Sequence, residues 1–164
     1  PHLAEAPGGE SARLRSISVR DQNGSVSESF DIREPVTLRI EFDCLKSGHE
    51  LLPGFSVCNE EMQILFSSID IEPKWQGTER PPGRYVAEIT IPGNLLAEGT
   101  MLVNTAVRQW KPAQTLEYFV PEAIAFQVID SFEGDSARGQ YPGDLAGVVR
   151  PKLEWRTERT GDAE

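Results

Sequence analysis

The sequence is poor in the residues that most chemistry needs. Its 164 residues include two cysteines, two histidines and 16 basic residues against 26 acidic ones. Two cysteines, Cys44 and Cys58, cannot form the disulfide framework of a small secreted domain. Cys44 continues an apolar face, so a reduced, small, hydrophobic role suits it and fits a cytosolic protein; a Cys44–Cys58 bridge is the alternative. His2 lies in a Pro-, Gly- and Ala-rich opening and His49 in a glycine loop. No pair of residues has metal-ligand spacing, and any Ser-His-Asp arrangement would have to use one of these two histidines. There is no G-x-S-x-G, no phosphate-cradling glycine loop and no calcium loop. Neither a cofactor nor a metal is expected. The net charge of −10, with a pI near 4.7, argues against nucleic acid and anionic lipid as partners. No apolar run is long enough to span a bilayer, and no signal peptide is expected. The chain opens at Pro1 without a methionine, which reads as a processed product or a piece of something longer.

What the sequence does hold is alternation. In "VTLRIEFDC", Val36, Leu38, Ile40, Phe42 and Cys44 alternate with Thr37, Arg39, Glu41 and Asp43. That is a strand with one buried and one wet face. A strand through Ile17 and Val19 precedes it, closed by a turn at Asn23–Gly24. "LPGFSV" and "MQILFSSI" predict two short strands around the polar tip Asn59, Glu60, Glu61. "RYVAEITI" places Tyr85, Ala87, Ile89 and Ile91 on one side. "PGNLLAEG" reads as a compact turn, with room for one helical turn. "MLVNTAVRQW" and "TLEYFV" predict a hairpin around "KPAQ", and "AIAFQVID" groups Ile124, Phe126 and Val128. The last strand expected is "GVVRPKLEW", with Val149, Leu153 and Trp155 on one face. Nine or ten short strands without a long helical period predict an all-β, antiparallel β-sandwich in a single domain. A chain of this length can bury roughly 70% of its unfolded surface. The expected organisation is a linker over 1–11, a sandwich over 12–157 and a disordered tail over 158–164. Two connections, 70–83 and 131–146, exceed ordinary loop length and read either as functional loops or as insertions.

The candidate site is the hairpin. One face of "MLVNTAVRQW" carries Met101, Val103, Thr105 and Val107 and belongs to the core. The other carries Leu102, Asn104, Ala106, Arg108 and Trp110. An amide, a guanidinium and an indole on one open surface suit a sugar, whose hydroxyls pair with the polar groups while its C–H faces stack on the ring. Tyr118, near in the hairpin, and Trp75, in the first long loop, extend the candidate set. There is a structural alternative: a four-residue "KPAQ" loop would set Trp110 opposite Thr115 and Arg108 opposite Glu117, an ordinary cross-strand charge pair. With 26 acidic residues some close carboxylate pair is inevitable, so a glycosidase gains nothing from the count.

The order of these features resembles the C-terminal domain of the ATPase subunit of O-antigen polysaccharide ABC exporters, the Wzt type. "ARLRSISVRDQNG", "REPVTLRIEFD", "PGFSV…ILFSS", "PGRYVAEITIPGNLLAEGTMLVNTAV", "AIAFQVID" and "GVVRPKLEW" follow the family's strands in order, from Ala12 to Trp155. Met101 departs from the aromatic that often follows the family's glycine, and methionine can fill the same space. The resemblance implies an immunoglobulin-like, jelly-roll-like sandwich. It implies a non-catalytic module that recognises the exported polysaccharide, often at its non-reducing end, and couples that recognition to export. It also implies a homodimer exchanging its last strand through Val149, Leu153 and Trp155, and a transmembrane exporter subunit as partner through a nucleotide-binding half that this chain lacks. The place implied is the cytoplasmic face of the inner membrane. An immunoglobulin-like protein-interaction module and a glycan-active enzyme are the alternatives.

Overall fold

The computed structural model describes residues 6–161. Eight strands are described: β1 Ala12–Arg20, β2 Ser29–Asp31, β3 Val36–Cys44, β4 Glu50–Cys58, β5 Ile64–Ile69, β6 Gly83–Ile91, β7 Gly99–Lys111 and β8 Thr115–Ile129. They form two sheets, ordered β1-β3-β6 and β2-β8-β7-β4-β5. All pairings are antiparallel except β2 with β8, which is parallel.

The alternating sequence of β3 sets the centre of the smaller sheet. Val36, Leu38, Ile40 and Phe42 are buried, while Thr37, Arg39 and Glu41 stay half-exposed. Arg39 ion-pairs with Glu41 and with Glu88 across the strand, both at 3.0 Å. From the larger sheet Leu51, Phe55, Val57, Val103, Val107 and Phe126 meet that face, so both sheets close on one core. Each such side chain contributes about 1.5–3 kcal/mol of apolar transfer. Phe42 also stacks on Tyr85, ring centroids 5.5 Å apart.

Several expectations change here. "TLEYFV" and "AIAFQVID" are not two strands but one, β8, because β7 is long enough to pair with both. The count is therefore eight among the described residues rather than nine or ten. "PGNLLAEG" contains no helical turn. Gly93 packs so tightly on the turn before β3 that a Cβ there would lie 2.0 Å from the Arg33 carbonyl oxygen. Cys44 and Cys58 are both free and buried, so no bridge joins them; burial pushes the Cys44 thiol above its ordinary range.

The final segment is not a strand within this chain. Val149 bridges Leu96, Arg150 N donates to Leu95 O at 2.8 Å and Lys152 N to Asn94 O at 3.3 Å, but no ladder forms beyond Lys152 among the described residues. Leu153 and Trp155 stand exposed. The connector ahead of it is folded, not featureless. Asp130 accepts from Ser136 Oγ at 2.9 Å, Arg138 pairs with Glu98 at 2.6 Å, and Arg150 pairs with the same Glu98. The expected linker and tail lie partly outside the described residues, as does His2.

Candidate functional site

The outer face of the larger sheet is built in cross-strand rows. Arg108 on β7 lies between Leu52 on β4 and Leu116 on β8. The next row is Gly54, Ala106 and Phe119, and the next pairs Ser56 with Asn104. Gly54 and Ala106 project almost no side chain, so the middle row is a depression between a cationic row and an amide row. Two grooves of about 170 and 350 Å³ result, and they meet at Arg108 and Ile69. Phe119 walls the first and Trp110 the second. Both rings are about half exposed, Trp110 at 48% and Phe119 at 53%. Such a concave, mixed apolar and polar surface is the general form of a small-ligand site, and clustered exposed aromatic groups usually mark a partner.

Arg108 has no ion-pair or hydrogen-bond partner among the described residues. The expected alternative, a pair with Glu117, does not form, because the ladder shifts between Val107 and Arg108. Val107 pairs with Tyr118 and Arg108 with Leu116, which leaves Glu117 as an extra residue on β8. Its Oε2 instead accepts the Ser11 N–H at 2.8 Å and the Ala12 N–H at 3.3 Å. The connection after Lys111 is three residues long, so Gln109, not Trp110, stands opposite Thr115.

The other expected site residues are dispersed. Asn104 borders the smaller groove but is only 6% exposed, and its amide is spent. Its Nδ2 donates to Ser56 Oγ at 3.0 Å and Cys58 Sγ at 3.3 Å, and its Oδ1 accepts the Glu122 N–H at 2.8 Å. Tyr118 points the other way, into the core. Its hydroxyl is buried without a partner among the described residues, and that burial pushes it well above the ordinary tyrosine range. Trp75 lines a further cleft of about 280 Å³ between β5 and β6, which shares Gly54, Phe55, Ser68 and Ile69 with the smaller groove. Its ring is taken up by loop packing: edge-on to Tyr85, with the Arg80 guanidinium 4.9 Å and the Lys74 ammonium 4.8 Å from its centroid. Of the expected residues, Arg108 and Trp110 thus share the open outer face, and Phe119 and Leu116, which the sequence did not single out, stand beside them. Their exposure depends on the extra residue at Glu117, which flips the alternation of β8, and no local pattern announces it.

The arrangement offers little to catalysis. His49 does lie 3.3 Å from a serine hydroxyl, that of Ser11. However, its Nδ1 donates to the Gln109 amide oxygen at 2.6 Å rather than to a carboxylate, and Ser11 is 2% exposed. Among the described residues no group of three or more His, Cys, Asp or Glu side chains could hold a metal. No described helix is long and apolar enough to cross a membrane.

Comparison with known proteins completes the picture. The model of the Wzt C-terminal domain family matches residues 4–141. A crystal structure of the C-terminal domain of wzt is similar at a TM-score of 0.70 and 13% identity, over 92% of this chain and 86% of that one. That likeness establishes the all-β fold. The putative ApaA protein from Bordetella pertussis overlays at a TM-score of 0.34 and 12% identity, over 75% of this chain and 98% of its own, which carries no argument. No curated protein matches the chain.

Proposed function

The chain belongs to the Wzt C-terminal domain family, and from that premise we propose that it binds the O-antigen polysaccharide exported by its transporter, without turning it over. The observation that carries this reading is Arg108. Its guanidinium is unpaired on an open face, flanked by Leu52 and Leu116 and beside the exposed ring of Trp110. A guanidinium donates in a fixed planar fork to hydroxyl, carboxylate or phosphate oxygens, and an indole supplies a stacking surface. Arg108 and Trp110 are therefore the contact residues we assign, with Phe119 and Leu116 as apolar walls. Asn104 shapes the groove through Ser56 and the turn at Glu122. On this reading the module recognises the finished, non-reducing end of the polymer at the cytoplasmic face of the inner membrane, and the nucleotide-binding half of the transporter passes that signal to the transmembrane subunit. The exposed Leu153 and Trp155 support a homodimer in which the last segment is exchanged.

The test is calorimetric titration with polysaccharide extracted from the source strain. Trp110→Ala and Arg108→Ala should each weaken binding by about 2 kcal/mol, roughly thirtyfold, as removal of a binding hot spot does. Affinity unchanged in both variants overturns the assignment. A glycan-active enzyme would shorten the polymer or release free sugar on prolonged incubation; neither change is expected.

A further inference from the structure

The two grooves on the outer face of the larger sheet differ from the rest of the surface in charge. The chain has 26 acidic residues and a net charge of −10. Among the described residues no acidic side chain lines either groove. Other hollows are acidic. The cleft between β5 and β6 carries Asp70, Glu72 and Glu88, and the hollow beside Gly99 carries Glu60, Glu61 and Glu98. Arg108 lines both outer grooves and is the one charged residue in either.

The acidic residues that come closest along β4, β8 and the end of β5 are committed elsewhere. Glu50 is buried and lies 3.5 Å from the Lys111 ammonium. Glu117 is taken out of register with Arg108 by the ladder shift, and its Oε2 accepts the Ser11 N–H at 2.8 Å. Asp70, which follows Ile69, accepts from Arg80 at 2.6 Å.

The polar groups that line the grooves are biased in the same direction. A neutral sugar presents hydroxyls, which donate as well as accept, so a site for it needs acceptors. The Asn104 Oδ1 is taken by the Glu122 N–H and the Gln109 Oε1 by His49. Gln114, Thr115 and the serines of β5 can donate or accept, whereas Arg108 can only donate. The strongest partner for a fixed fork of charged donors is an ionised group that only accepts, because such hydrogen bonds are about twice as strong as neutral ones.

We propose that the ligand of this site carries an oxyanion, a sugar carboxylate or a phosphate ester, and that Arg108 is the residue that reads it. Two oxygens of the group meet parallel N–H donors of the guanidinium, and the ring that bears it lies against Trp110. Leu52 and Leu116 flank Arg108 in its row and lower the local dielectric, which strengthens the pair. Over most of the chain the same group meets a surface of its own sign; in these grooves it meets no carboxylate. Arg108 therefore sets specificity as well as affinity, since a neutral polymer of the same shape lacks its partner. That the oxyanion sits on a sugar rests on the carbohydrate reading above.

The experiment titrates the full chain calorimetrically with extracted polysaccharide in three forms: untreated, carboxyl-reduced with carbodiimide and borohydride, and dephosphorylated with cold hydrogen fluoride, all matched in length by gel filtration. At least one treated form is expected to bind at least about tenfold more weakly than the untreated one, and its identity tells a carboxylate from a phosphate ester. Arg108→Gln keeps an amide donor and removes the charge. It should lose at least about tenfold on untreated polysaccharide and should no longer distinguish it from the treated form, because both changes remove one interaction. Arg108 is exposed, so the variant should keep its circular dichroism spectrum and urea midpoint.

Equal affinity of the unaltered chain for all three forms overturns the proposal and leaves the carbohydrate reading standing. A treated form that binds Arg108→Gln more weakly by the same factor as it binds the unaltered chain also overturns it, since the anion is then read elsewhere. No binding of untreated polysaccharide overturns both.

Discussion

Asn104 and Glu122 face each other across a break in the β7–β8 ladder, and the Asn104 side-chain oxygen accepts the Glu122 backbone N–H at 2.8 Å. Val103 pairs with Ile124 and Thr105 with Val120, so three residues of β8 stand opposite Asn104 alone. Glu122 takes a left-handed conformation there, at φ 47°. Left unpaired, its amide would lack a ladder partner. The side chain that sequence alone assigns to ligand binding instead replaces a missing strand partner.

Asn104→Ala should therefore cost stability. Loss of the amide strands a backbone N–H and a serine hydroxyl, worth about 1–3 kcal/mol. Urea unfolding should show a lower midpoint with an unchanged slope. Asn104→Asp keeps the acceptor for Glu122 but loses the donor to Ser56 and Cys58, and should fall between the two. An alanine variant as stable as the original chain contradicts this role.

Arg80 is the anchor of the loop between β5 and β6. It is 3% exposed, donates to Leu51 O at 3.1 Å and to Asp70 Oδ2 at 2.6 Å, and packs on three aromatic rings. Arg80→Leu leaves the Asp70 carboxylate without its partner and should destabilise by about 3–5 kcal/mol. The emission of Trp75, which loses one of its two cationic neighbours and keeps Lys74, should change with it. Trp75→Ala should leave polysaccharide affinity within about twofold, since its ring is not on the outer face and interface residues outside a hot spot cost little.

Tyr118→Phe should be neutral or mildly stabilising, because a buried hydroxyl without a partner gains nothing by being there. Its ionisation gives a pH signature. Burial raises the folded-state pKa above the ordinary 10.0. Below that value the residue is neutral in both states and its contribution is fully present. As pH rises beyond it, the unfolded chain releases the proton first, so stability falls toward the raised folded value. Urea midpoints measured from pH 9 upward should decline less steeply in Tyr118→Phe than in the original chain. Equal slopes would place the hydroxyl in contact with solvent.

The last segment should govern assembly. Trp155 is 87% exposed and Leu153 65%, a pair of large apolar side chains with no cover in one chain. A double change to Leu153→Asp and Trp155→Glu should convert a dimer to a folded monomer in sedimentation at micromolar protein, with an unaltered circular dichroism spectrum. A chain that is monomeric before the change refutes the exchange.

Local alternation was enough to predict an all-β chain, the buried face of β3 and two short strands on either side of the Asn59 tip. Those follow from a period-two pattern that each strand carries within itself. The outward placing of Arg108 and Trp110 follows from the same alternation, which sets them on the face of β7 opposite Met101, Val103 and Val107. The sidedness of β8 was not legible in this way. Extra residues at Glu117 and around Glu122 turn Tyr118 inward and Phe119 outward and take Asn104 out of the site, and a bulge is settled by the partner strand across the ladder rather than by its own sequence. The Ser11 amide on Glu117 and the clustering of Arg138 and Arg150 at Glu98 were likewise hidden, because they join residues tens of positions apart. Sequence determined which stretches could be strands and which side chains could face out; packing of one strand on the next decided which of those side chains remained free to bind.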